Sequence, residues 1–145
     1  MPYKSIAFLF LIISVIFINH LLAVTLGLLG RCQISYLPGS QVKLLTSCVG
    51  FTERFISHTL QASAITLDSH IITPLPSLAP EIVSHEMGHV FQYRILGPIF
   101  LPAYAIAQLI AIGETRYLHQ TNVHARNYFE IWANSISHLP LEPTY

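Results

Sequence analysis

Two histidines four positions apart around a glutamate, His85, Glu86 and His89 in "IVSHEMGHVFQY" (residues 82–93), are the residues here whose types and spacing most directly specify chemistry. On a helix, positions i and i+4 share a face about one turn apart. Both imidazoles can then direct a nitrogen to one point about 2.0–2.1 Å away, the Zn–N distance. Glu86 is rotated by about 100° from His85, the angular step of a helix with 3.6 residues per turn. It therefore stands beside an ion held there, and its carboxylate can take a proton from a water that the ion activates. The plain alternative is a helix carrying two core or surface histidines and a solvated glutamate. Two features weigh against it. Ile82, Val83, Met87, Val90 and Phe91 bury the helix, so the polar trio needs a partner inside. Gly88 leaves room for a second element to approach.

Catalytic zinc sites keep one position open and take three protein ligands, so a third ligand is expected. The downstream candidates are Glu114, His119, His124, Glu130, His138 and Glu142. An extended HExxHxxGxxH pattern fails, because Gln92 and Ile95 stand where it needs Gly and His. The stretch "NYFEIWANS" (127–135) offers a better answer. Glu130 and Asn134 are again i and i+4, on a helix that can pack antiparallel to the first. Glu130 would bind zinc, and Asn134 could hydrogen-bond the other ring nitrogen of a ligand histidine.

"HEMGH" followed by "ExxAN" resembles the gluzincin metallopeptidases, in which HExxH is completed by a Glu in an ExxAD or ExxxD helix. "HEMGHVFQYRILGP", with "AITLDSHIIT" upstream, resembles small bacterial zincin-like proteins. The resemblance covers roughly residues 62 to 137. It implies a zinc cofactor, His85, His89 and Glu130 as ligands, Glu86 as catalytic base and a peptide or protein substrate. Such enzymes commonly add a Tyr or His that stabilises the oxyanion, for which His119, His124 and Tyr128 are candidates; spacing selects none of them. The sequence departs from the pattern at Asn134, where the family usually has Asp. An amide orients an imidazole without adding charge.

The elements that must position these groups follow from patterning. Residues 5–30, "SIAFLFLIISVIFINHLLAVTLGLLG", contain no Asp, Glu, Lys or Arg. As a helix they would reach about 39 Å, enough to cross a hydrocarbon core of about 30 Å. A single-pass membrane anchor is expected, with a cleaved signal peptide as the competing reading. Lys4 and Arg31 flank the run and give little topological bias. Residues 31–61 are of mixed polarity with a turn at "LPGS" (37–40), and "VKLLTSCVGFTERFISHTLQ" (42–61) is ambiguous between helix and strand. "SAITLDSHIIT" (63–73) reads as a short hairpin or a kinked strand. The proline-rich "PLPSLAP" (74–80) ends it, and the HExxH helix is expected from Pro80 or Glu81 to Leu96. "IFLPAYAIAQLIAI" (99–112) is about 21 Å long as helix, short for a span. A core or interfacial helix is expected there, and a last helix from Asn122 to Ser137.

The fold class expected is α+β and mainly helical. Residues 1–31 would form the anchor, and residues 32–145 a minimal zincin-like domain with its HExxH helix packed on the ExxAN helix. Only 10% of the residues are charged, and acids equal Lys plus Arg at seven each. Nucleic acid is therefore not an expected partner, whereas a membrane, such as a bacterial inner membrane, is. Cys32 and Cys48 lack CxxC spacing, which excludes a zinc ribbon. Two buried thiols are favoured over a disulfide. The leading function is a membrane-anchored zinc peptidase. The alternative is a zinc-binding but catalytically inactive membrane scaffold. An intramembrane protease fits less well, because the expected Asp-Gly pair is missing and residues 114–137 are polar.

Overall fold

The structure is a computed structural model and describes residues 18–118 and 123–137. Residues 5–17 of the expected anchor lie outside that range. Its described remainder forms helix α1, Ile18–Leu29. Asn19, Ala23 and Leu26, at i, i+4 and i+7, are buried, while Leu21, Leu22, Leu28 and Leu29 stay exposed. Ala23 and Leu26 belong to the same core cluster as Leu45, Ile56, Leu67 and Ile72. The end of the apolar run is thus part of the domain's packing, across the boundary expected at residue 31.

The chain then builds more sheet than the one expected hairpin. β1 (Gln33–Tyr36) and β2 (Lys43–Thr46) form a first hairpin around the "LPGS" turn. A short helix, α2 (Gly50–Arg54), runs on into a π-helical turn over Phe55–Thr59. β3 (Ile65–Leu67) and β4 (His70–Ile72) form the second hairpin, with Asp68 at φ 55° in its tight turn. Parallel pairing of β2 with β4 joins the hairpins into one sheet of order β1-β2-β4-β3, which leaves β3 on an edge. Residues 42–61 could not be read from pattern because their strand, β2, is four residues long and one of its two partners, β4, is distant in sequence.

Period-2 alternation divides this sheet between its neighbours. Leu67 and Ile72 face the cluster that includes α1 and Ile56. Ile71 faces the other cluster, with Val42, Ala64 and Val90. Thr66, opposite Ile71 in the β3–β4 register, points to that same side.

Helix α3 spans Pro80–Leu96, as the proline at its first position and Glu81 in its first turn lead one to expect. It stops at Gly97, whose φ of 55° suits a residue without Cβ. After one 3-10 turn, α4 follows as Phe100–Tyr117. By length and composition Pro80–Tyr117 is long and apolar enough to cross a membrane. It is not straight, however. The rings of His89 and Tyr104 lie 5.9 Å apart, where fifteen residues of unbroken helix would separate them by about 22 Å. Most of α4 is not core: Ile106, Leu109 and Ile110 are each more than half exposed.

The last helix, α5, is Tyr128–Ser137 and starts later than expected. Asn127 is fully buried, and its Oδ1 accepts from the Phe129 amide at 2.9 Å, which caps the helix there. Residues 124–126 before it form only a 3-10 turn. Cys32 and Cys48 are joined in a disulfide rather than held as free thiols. The bond ties the segment after α1 to the loop after β2.

Candidate metal centre

Helices α3 and α5 pack antiparallel in steps of four residues. Ser84 Oγ donates to the Ser137 carbonyl at 2.7 Å, and Gln92 Nε2 donates to the Phe129 carbonyl at 2.8 Å. Midway between them, a Cβ on Gly88 would lie 2.9 Å from the Ala133 carbonyl oxygen and 3.0 Å from its Cα. Only glycine on α3 allows α5 this close, and the small Ala133 completes the crossing. This explains why HEMGH and ExxAN share the chain: their small residues set the helix spacing and their large polar ones meet beside it.

At that crossing His85 Nε2 lies 3.0 Å from Glu130 Oε2, and His89 Nε2 lies 3.5 Å from Glu130 Oε1. One ligand atom from each of the three residues falls within 4.8 Å of the other two. Two imidazole nitrogens and a carboxylate oxygen this close together form a donor set that could hold a metal ion. The remaining ring nitrogens are held outward. His85 Nδ1 is 2.8 Å from Asn134 Oδ1, and His89 Nδ1 is 2.9 Å from Gln92 Oε1. With those amide oxygens accepting, each Nδ1 donates outward and each Nε2 is the nitrogen directed at Glu130, so Nε2 is the atom that would bind an ion once it gives up its proton.

Electrostatics within the cluster are those of a charged site under cover. Burial alone would raise the Glu130 carboxyl, but hydrogen bonds from His85 and His89 outweigh it and hold the group well below the usual carboxylate range. Glu130 in turn raises His85. Glu86 is buried, and burial raises its carboxyl. Its Oε2 accepts from Thr66 Oγ1 at 2.5 Å, so edge strand β3 aims the carboxylate. The Tyr104 hydroxyl, on α4, donates to Glu130 Oε1.

These groups open onto a cleft of about 680 Å³ whose walls are mostly apolar, including Leu22, Leu26, Phe55 and Leu101. Residues 61–67, ending in β3, form one side of it. The cleft therefore runs along the unpaired edge of the sheet.

Of the residues expected from sequence, His85, Glu86, His89, Glu130 and Asn134 converge. Tyr128 does not: it is 71% exposed and is not among the residues lining the cleft. His119 and the His124 side chain lie outside the described residues. Three contributors were missed. Thr66 and Tyr104 come from elements distant in sequence, so no local spacing flags them. Gln92 carried a readable signal, a buried amide three residues after His89 on one helix face.

Comparison of the chain with protein-family models, curated proteins and solved structures finds no match.

The Asn134 contact yields a prediction. Asn134→Leu removes the acceptor at His85 Nδ1 and should weaken zinc binding by about 10–100-fold, the usual cost of losing such a partner. Asn134→Asp, which adds negative charge at the same point, should tighten it. Zinc titration of both variants against a competing chelator checks the pair; parent-like affinity in both would leave Asn134 no part in the site.

Proposed function

We propose that this chain is a membrane-anchored zinc-dependent peptidase of gluzincin type. The observation that carries the reading is the convergence of His85 Nε2, His89 Nε2 and the Glu130 carboxylate, with Glu86 beside them in an apolar cleft. His85, His89 and Glu130 would hold the ion. Bound there, zinc lowers the pKa of a coordinated water towards about 7 and polarises the scissile carbonyl.

The chain's own groups do the rest. Glu86 takes the proton from the attacking water and passes it to the leaving amine. The Thr66 hydroxyl donates to one Glu86 oxygen and so holds the carboxylate in place. The Tyr104 hydroxyl, which also lines the cleft, donates to Glu130 Oε1 and would hold that ligand carboxylate in place. The free edge of β3 gives an extended peptide a backbone to pair with. The apolar walls exclude water and favour apolar side chains.

Attachment to a membrane is supported by the uncharged run at 5–30 and by the exposed apolar faces of α1 and α4. The Cys32–Cys48 disulfide favours an oxidising compartment for the domain. The test is cleavage of a casein-like generic substrate by full-length protein in membranes or detergent. Cleavage that stops with a chelator and returns with zinc is expected, and the protein should stay in the pellet after alkaline carbonate washing. Zinc-loaded protein that cleaves nothing would favour the inactive-scaffold reading.

A further inference from the structure

On the other side of the sheet a second group of ligating side chains comes together from α1 and the β3–β4 turn. His20, Asp68 and His70 each offer one ligand atom within 4.8 Å of the others. The His20 and His70 rings stand edge to face with centroids 5.0 Å apart. His70 is 2% exposed, and neither ring nitrogen has a partner of full hydrogen-bond geometry among the described residues, although a backbone contact with Leu67 bears on the ring. A neutral imidazole carries one donor and one acceptor. Leaving them without well-formed bonds in a buried position is costly, which makes a histidine here hard to explain as packing alone. A valine or isoleucine would fill the same strand position without that cost.

Beside the cluster is a cavity of about 150 Å³ lined by Asn19, Asp68, Tyr93, Gly97 and Pro98. The Tyr93 hydroxyl is buried without a hydrogen-bond partner among the described residues. Of the three ligating residues, Asp68 lines this space. Asp68 shares one carboxylate oxygen with the Ser69 hydroxyl, 3.2 Å away, and keeps its other oxygen for a ligand.

We propose that His20, Asp68 and His70 form a second divalent-metal site, separate from the His85–His89–Glu130 centre, that fastens α1 to the β3–β4 turn. Two imidazoles and a carboxylate are a donor set for a borderline first-row ion, of which zinc is the natural probe. The site's role is to organise the cleft. Leu22 and Leu26 of α1 form one wall of it, and β3, which ends one residue before Asp68, forms another and carries Thr66 to Glu86. An ion on His20, Asp68 and His70 locks those two walls together.

The experiment uses untagged full-length protein dialysed against zinc, with bound metal counted by atomic spectroscopy. About two zinc per chain are expected in the parent and about one in His20→Ala, which alters an exposed side chain. His85→Ala/His89→Ala should also retain about one, and adding Asp68→Asn to it should remove that one while the circular dichroism spectrum is unchanged. The proposal is overturned if His20→Ala and Asp68→Asn bind as much zinc as the parent with equal affinity. It is equally overturned if the His85→Ala/His89→Ala protein, folded, binds none. Loss of nothing in that double variant would instead count against the first centre.

Discussion

Glu86→Gln is expected to keep zinc and the fold while peptidase activity falls by about 10²–10⁴-fold, the usual worth of a positioned general base. Glutamine is nearly isosteric, and its amide oxygen can still accept from Thr66 Oγ1, which now meets Glu86 Oε2 at 2.5 Å. Burial of this position at 6% exposure also favours the neutral amide, so stability should not suffer. What the substitution removes is the capacity to hold a proton between attack and departure of the amine. Steady-state turnover and metal content, measured on one preparation, separate the two effects. Parent-like turnover with zinc retained would sink the mechanism.

Glu130→Ala should remove the zinc of the HExxH centre altogether, a larger effect than the roughly 10–100-fold expected for a partner that only orients a ligand. Glu130 is the group on which both His85 Nε2 and His89 Nε2 converge, at 3.0 and 3.5 Å. Without it two imidazoles remain, one fewer ligand than catalytic zinc sites use. The helix crossing itself rests on Gly88 and Ala133 and on the Ser84 and Gln92 hydrogen bonds, none of which involves Glu130. The variant should therefore fold, and its circular dichroism should match the parent while one equivalent of metal is lost. Retention of that zinc with unchanged affinity would show that another residue supplies the third ligand.

The grouping of the centre's side chains was legible in the sequence because it depends on helical periodicity, a local property. His85 and His89 share a face whatever surrounds the helix, and so do Glu130 and Asn134. The bounds of α3 were equally legible, since Pro80, Glu81 and Gly97 act through backbone dihedrals and the helix dipole. The β3–β4 turn, though not the rest of the sheet, was visible in "SAITLDSHIIT".

Other features depended on which surfaces meet. Whether Cys32 and Cys48 pair is set by the approach of the segment after α1 to the loop after β2, across sixteen residues of sequence separation. The apolar residues of "IFLPAYAIAQLIAI" and those of a core helix look alike as composition. The break at Gly97 decided which of them face outward. Thr66 reaches Glu86, and Tyr104 reaches Glu130, only because the sheet edge and α4 flank α3 and α5 in space. His20 and His70, fifty residues apart and unremarkable in sequence, became neighbours for the same reason: α1 packs on the face of β4 from which His70 projects. Periodicity along one helix needs no partner, whereas a contact between elements exists only once long-range burial has chosen which faces are joined.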